Sequence, residues 1–265
     1  MYAEVQDIQQ LSPTLIRVTL SGGTLNEFEP STATDSYINA QFPPAGSTIS
    51  VPFTPREAKR LPVEQRPRPR RFTIRRWDPM GQSLAIDFVS HGVTGYAGAW
   101  AQRAQPGDRL QFDGPGGSYR PSADVDWHLL VGDESALGAI GAALEALPEG
   151  KKALAFALVD APGHEVPLPG NGNTAVVWLY RDGADRPERL LPEAVESAEF
   201  PPGSFDVFVH GEAGETREVR RHLLAERGVD KQTASISPYW RRRHSDEDWR
   251  KVKRKFLKQQ EKDVS

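Results

Sequence analysis

The sequence predicts a β + α/β protein, with an N-terminal antiparallel Greek-key β-barrel followed by a parallel-sheet α/β nucleotide-binding domain. Three observations predict it. Up to about residue 122 the chain offers short β-rich segments separated by Gly, Pro, Asn and Asp turns, with almost no helical patterning. After "PSADVD" the pattern changes to strands alternating with helices. At 265 residues the chain is also long enough for two ordinary domains, each burying its own core. The expected division is 1–122 and 123–265, with the linker near residues 120–126.

The barrel segments, in order, are "TLIRVTLSG", "SYINAQF", "STISVPF", "RRFTIRRW", "SLAIDFVSH" and "DRLQFDGP". Each is short and rich in β-branched or aromatic residues, as strands of a small antiparallel barrel should be. In the second part "WHLLV" precedes the helical "ESALGAIGAALEAL", and "KALAFALVD" and "TAVVWLY" follow as strands. "FDVFVHG" then leads into "ETREVRRHLLAERG". That alternation implies right-handed crossovers and a ligand at the carboxyl ends of the strands. "LLVGDES" and "VFVHGEAGE" both end in a Gly turn opening onto a helix, so backbone at Gly132 and Gly211 can approach a dinucleotide. Neither has the G-x-G-x-x-G fingerprint, and a plain strand-to-helix turn explains them equally well.

The tail "SDEDWRKVKRKFLKQQEKDVS" has Ser245 and Asp248 at capping-box spacing, then Trp249, Val252 and Phe256 on one helical face. It predicts a docked helix whose outer surface carries Arg250, Lys251, Arg254, Lys255 and Lys258. From Trp240 onward ten Lys/Arg face five Asp/Glu, +5 in a chain of net charge -3, which leaves the remainder at -8. A basic tail on an acidic body suits one localised anionic partner better than a nucleic acid.

The chain has no cysteine, which removes disulfides, thiolate nucleophiles and Cys-ligated clusters. His91, His128, His164, His210, His222 and His244 show no metal-ligand spacing, so no metal site is expected and redox chemistry would need an organic cofactor. The longest apolar run, "ALGAIGAAL", is far short of the roughly 20 residues of a membrane span. The N-terminus lacks a signal-peptide pattern, and the expected location is the cytoplasm. "RPRPRRFTIRR" places six arginines in eleven residues, suited to phosphate, carboxylate or plain solvation.

Four stretches carry a resemblance. "RRFTIRRWD" from Arg70 is similar to an Arg-x-Tyr-Thr-x-Arg flavin motif, and "DFVSHGVTGYAGAWA" from Asp87 resembles a segment ending Gly-Pro-Ala-Ser-x-Trp-Ala. "GDESALGAI" from Gly132 looks like Gly-Asp-Glu-Thr-Ala-Leu-Pro-Ala-Ile. "GEAGETREVRRHL" with "SPYWRRR" matches a C-terminal Gly-Glu-Ala-Gly and Tyr-Trp-Arg signature. In this order they resemble the siderophore-interacting proteins, FAD-dependent ferric-siderophore reductases of the ferredoxin-reductase-like superfamily.

The resemblance implies that Arg70 pairs with the FAD pyrophosphate, Phe72 packs on the flavin and Thr73 hydrogen-bonds its edge. Asp87, Val89, His91, Gly92, Ala97, Gly98 and Trp100 would complete the FAD site. Gly132, Asp133, Glu134, Ser135, Gly211, Glu212 and Ala213 would hold NADH or NADPH, and Tyr239 and Trp240 would be further cofactor-binding residues. Arg241, Arg242 and Lys255 would face an anionic ferric-siderophore, bound by a protein expected to be a monomer. This sequence departs from the pattern at Phe72 for Tyr, Tyr96 for Pro, Gly98 for Ser, Gly138 for Pro and Asn39 for a lysine.

The implied reaction passes electrons from NAD(P)H through flavin to Fe(III), with no obligatory acid or base. Asp160 favours NADH by meeting a ribose 2′-OH, whereas Arg181 favours NADPH. Two alternatives stay open: a flavin reductase with another acceptor, and a siderophore binder without catalysis. A nucleic-acid binder is disfavoured by the acidic body.

Overall fold

The computed structural model describes residues 1–90 and 95–264 and divides into two compact units, Met1–Ser118 and Tyr119–Ser265. In the first, six strands close a barrel in the order β1-β2-β5-β4-β3-β6: β1 (Tyr2–Ser12), β2 (Leu15–Ser21), β3 (Tyr37–Phe42), β4 (Arg68–Asp78), β5 (Ser83–Val89) and β6 (Arg109–Gly116). Every pairing is antiparallel, and β1 closes on β6 with Tyr2 opposite Gln111. Closure removes the free edges that a six-strand sheet would otherwise expose.

Alternation decides which residues fill the barrel. In "YINAQF" Ile38, Ala40 and Phe42 are buried while Tyr37, Asn39 and Gln41 are not. They meet Val18, Leu20, Leu84, Ile86, Phe88 and Phe112 in one apolar core. Two short helices decorate the unit, α1 (Pro55–Arg60) and α2 (Ala97–Arg103).

The second unit holds a five-stranded all-parallel sheet in the order β11-β10-β7-β8-β9. Its strands are β7 (Trp127–Asp133), β8 (Lys152–Val159), β9 (Thr174–Tyr180), β10 (Phe205–Glu212) and β11 (Ala234–Trp240). All seven residues of β7 are buried, as expected for a central strand covered on both faces. Helix α3 (Leu137–Glu145) packs Ala139, Ile140 and Ala143 on one face of the sheet. The other face is covered by α4 (Leu190–Ser197) through Leu191 and Val195, and by α5 (Ala213–Arg221) through Val219.

Helix α6 (Asp246–Glu261) is the predicted tail helix. The Ser245 hydroxyl accepts from the Asp248 amide at 3.1 Å, and Trp249 and Phe256 are buried against Ala213. Arg220 donates to the Gln260 carbonyl at 2.7 Å, and Arg217 forms a two-bond pair with Asp263.

Three local readings differ from the sequence. "STISVPF" forms no strand, because Pro52 interrupts it and the chain runs into α1. The sixth barrel strand is instead β1, "YAEVQDIQQLS", whose polar residues hide the β pattern. β11 was not anticipated either. "ASISPYW" carries a proline that an edge strand tolerates, and the Lys253 ammonium donates to that proline's carbonyl at 2.7 Å.

Candidate functional site

In the barrel unit the site is built on β4, where side chains alternate between two faces. Arg68, Arg70, Phe72 and Ile74 take one face, and Ile74 enters the core. The Phe72 ring lies 4.4 Å from Phe88 and 5.9 Å from Phe42, and Trp100 of α2 adds a fourth ring 5.6 Å from Phe88. Phe72 and Trp100 are half-buried, so this aromatic wall keeps a solvent-facing side.

Beside the wall, the Arg70 guanidinium lies over the Tyr96 ring at 5.3 Å and that of Arg68 lies over the same ring at 5.9 Å. Arg68 gives one nitrogen to the Val63 carbonyl at 3.1 Å, while its Nε is buried with no hydrogen-bond partner among the described residues. A buried donor on a cation left without an acceptor is costly, and an anion would satisfy it. Two cations, an aromatic platform and an apolar wall fit a flavin carrying a phosphate chain.

The other expected flavin residues have varied placements. Thr73 is half-buried, opposite Tyr37 in the ladder. Asp87 has another partner: it is buried in a two-bond pair with Arg17, at 2.7 and 2.8 Å, directly across the β2–β5 ladder. A Cβ at Gly98 would point at the Val89 carbonyl, 3.0 Å away, so the missing serine leaves α2 close against β5. Ala97 opens α2 and is buried. His91 and Gly92 lie outside the described residues.

On the opposite face of β4, Arg71 stands directly across from Asn39 and extends over the Tyr37 ring at 5.3 Å. Asn39 is flanked on its other side by Asp113 of β6. The barrel therefore keeps an exposed cation one strand away from the position where a lysine was expected.

In the second unit the strand order reverses between β7 and β10, and the expected residues converge there. Asp133, 1% exposed, accepts from the Ser135 amide at 2.9 Å, the Ser135 hydroxyl at 2.5 Å, the Glu212 amide at 2.8 Å and the Trp240 indole at 2.7 Å. The Glu212 carboxylate caps α5 through the Gly214 and Glu215 amides and also accepts the Arg242 amide at 3.0 Å. The amides of Ser135 and Glu212 are therefore already occupied by the protein's own carboxylates. A Cβ at Gly132 would meet Ala136 at 2.5 Å and the His210 carbonyl at 2.7 Å. Gly211, at φ +146°, leaves room for Asp133, 2.8 Å from a built Cβ. Both glycines are required by packing within the unit, not by an approaching ligand alone.

Charge is concentrated at these strand ends. Arg181 bonds Glu134 at 2.5 Å and Asp160 at 2.9 Å, so the two residues read as opposing coenzyme determinants are paired with each other. Burial works against the Arg181 charge, but the bond and charge of Glu134 outweigh it and hold its proton more tightly than usual. Burial, reinforced by Asp133, pushes the Glu215 carboxyl up to about 8 despite the Arg242 guanidinium 2.6 Å away. Burial also lowers His210 to about 3, so this imidazole, stacked on Phe208 and edge-on to Tyr239, is neutral. Glu215 was not singled out from the sequence, and only its place in the first turn of α5 signalled it.

Of the expected substrate residues, Arg242 is committed to Glu215 and Arg241 lies over the Trp249 and Phe256 rings at 5.9 and 5.4 Å. Lys255 is exposed on α6. No helix is long and apolar enough to cross a membrane, and no group of three or more His, Asp or Glu that could hold a metal occurs among the described residues.

A closed antiparallel barrel with an arginine-and-aromatic strand, followed by a parallel sheet, defines a flavin oxidoreductase of ferredoxin-reductase-like architecture. Residues 4–119 match the siderophore-interacting FAD-binding domain, and residues 125–243 match the siderophore-interacting protein domain. The chain belongs to the siderophore-interacting protein family.

An uncharacterized protein of Mycobacterium tuberculosis is 41% identical over 96% of this chain and 94% of its own. The ferric vibriobactin reductase ViuB of Vibrio cholerae is 34% identical over 89% of this chain and 88% of its own. Among solved structures, the siderophore-interacting protein SipS of Aeromonas hydrophila superposes with a TM-score of 0.82 at 27% identity, covering 97% of this chain and 98% of the other.

Proposed function

We propose that this protein carries electrons from NAD(P)H through FAD to the Fe(III) of a siderophore in the cytoplasm, so that the iron leaves as Fe(II). The observation that carries the reading is the alternation along β4. Arg70 and Phe72 face the Tyr96 platform and the aromatic wall, while Arg71 and Thr73 face the Tyr37 side. One strand thus offers a flavin-type surface and an exposed cation on neighbouring residues. The similarity to ViuB supports a siderophore as acceptor.

The chain's own residues act by binding and orientation. Arg70 offers a charge-assisted fork to a phosphate and Phe72 an apolar ring surface, while Thr73 offers a small hydroxyl from the opposite face of the strand. FAD, when bound, supplies the conversion between a two-electron donor and a one-electron acceptor. Arg71 attracts a chelate that is anionic, and the expected lysine at position 39 is replaced across the ladder, not lost. Hard oxygen donors hold Fe(III) far more tightly than Fe(II), so reduction itself releases the metal and no side chain need act as acid or base. The donor nucleotide is assigned to the ends of β7 and β10, the reversal point of the sheet. Because carboxylates of the protein already occupy the local amides there, its affinity should be modest.

The test is retention of FAD by the purified protein and by Arg70→Ala. The wild-type protein should bind FAD and be reduced by NAD(P)H, and Arg70→Ala should lose most of the cofactor. An Arg70→Ala protein with unchanged flavin affinity would remove the assignment.

A further inference from the structure

Arg68 belongs to no part of the flavin motif, yet its geometry sets it apart from the other arginines of the run. Arg66 is used locally: its Nε donates to the Leu61 carbonyl at 2.9 Å and an Nη to the Lys59 carbonyl at 3.0 Å, closing the loop before β4. Arg71 lies on Tyr37 on the far face. Only Arg68 shares with Arg70 both a face of β4 and the Tyr96 ring, and only Arg68 leaves a buried Nε without an acceptor among the described residues.

We infer that Arg68 is a second anion-binding residue of the cofactor site, forming with Arg70 and Tyr96 one cradle for the diphosphate of FAD. The inference rests on the proposed function above and deepens it.

The chemistry follows from the arrangement. Two guanidiniums at i and i+2 of a strand repel each other and stay together only when held, here by the π face of Tyr96 and by the Val63 carbonyl. A diphosphate neutralises both and gives the orphaned Nε an acceptor, with the short, strong bonds that guanidinium forms to phosphate. Tyr96, standing where the family pattern has proline, thereby acts as a positioning residue for both cations. Riboflavin has the same ring system and no phosphate, so it does not use the cradle.

The experiment titrates FAD and riboflavin into flavin-free protein, following flavin fluorescence at low and raised ionic strength, for the wild type, Arg68→Gln, Arg68→Lys and Arg70→Ala. Arg68→Gln should weaken FAD by about tenfold or more, leave riboflavin unchanged, and reduce the salt dependence of FAD binding. Arg68→Lys should recover part of the affinity, because it restores the charge without the Nε donor. If Arg68→Gln binds FAD within twofold of the wild type while Arg70→Ala loses it, the inference is overturned and the flavin assignment stands. Equal weakening of FAD and riboflavin would also overturn it, by showing a merely structural role. A wild-type protein that binds no FAD removes the functional reading and this inference together.

Discussion

The indole of Trp240 at the end of β11 donates to Asp133 at the end of β7 across 2.7 Å, reaching past the intervening strand β10. Asp133 also accepts from Ser135 and from the Glu212 amide, so a single carboxylate joins three strands where the sheet order reverses. Asp133→Asn places an amide NH₂ against some of these donors, and should cost roughly 2–4 kcal/mol by the worth of charged hydrogen bonds and the penalty for unpaired ones. Trp240→Phe removes one donor only and should cost about 1–2 kcal/mol. Urea unfolding of both variants and their double mutant measures the coupling, and additive costs would contradict it.

Glu215 gives the second unit a pH dependence. Its folded pKa of about 8 lies above the ordinary 4.5, so the fold prefers the protonated carboxyl. Stability from this group is fully present below the unfolded pKa and is lost as pH rises from about 4.5 to about 8. Glu215→Gln should flatten that decline in thermal melts. It should also lower the KM for NAD(P)H above pH 8, where the wild type gains a negative charge beside Asp133 and Glu212. A variant that melts with the wild-type pH profile would contradict the assignment.

Gly132 and Gly211 should be intolerant for reasons of packing. Gly211→Ala introduces a Cβ 2.8 Å from the Asp133 carboxylate at φ +146°, and should cost about 1–3 kcal/mol. Such variants test the fold of the unit, so their melting temperature must be read before any slowing of flavin reduction is ascribed to the coenzyme.

Removing the tail before Ser245 would uncover Ala213 and delete the Arg217–Asp263 and Arg220–Gln260 contacts, so truncation reports stability first. Arg254, Lys255 and Lys258 are exposed and can be neutralised in place. The triple Gln variant should melt within about 1 kcal/mol of the wild type, and raise the KM for an anionic tris-catecholate chelate more than for a neutral hydroxamate. Equal KM values would leave α6 a docking helix alone.

Much of this was legible in the sequence, because periodicity reports burial directly. β7 and β10 centre on short apolar runs, Leu129 to Val131 and Val207 to Val209, and α6 presents Trp249 and Phe256 at helical spacing beside a serine cap. β1 escaped because its residues are mostly polar, and β11 because Pro238 reads as a breaker until its edge position is known. For the site, motif order pointed to strand-end residues that lie near one another, but their partners were invisible. Asp87 is satisfied by Arg17, seventy residues away, Arg242 by Glu215, and Asp160 by the same Arg181 that was weighed against it. Register places Arg71 opposite Asn39, a neighbourhood that linear spacing cannot show.

The most direct test of the central claim is anaerobic iron release. Protein loaded with FAD is mixed with NAD(P)H and a ferric siderophore in the presence of an Fe(II)-specific chromogenic chelator. The account predicts Fe(II) appearing with turnover, dependence on both FAD and NAD(P)H, and a raised KM in Arg71→Gln for an anionic chelate. A flavin that NAD(P)H reduces fully while no ferric chelate, catecholate or hydroxamate, yields Fe(II) would contradict it.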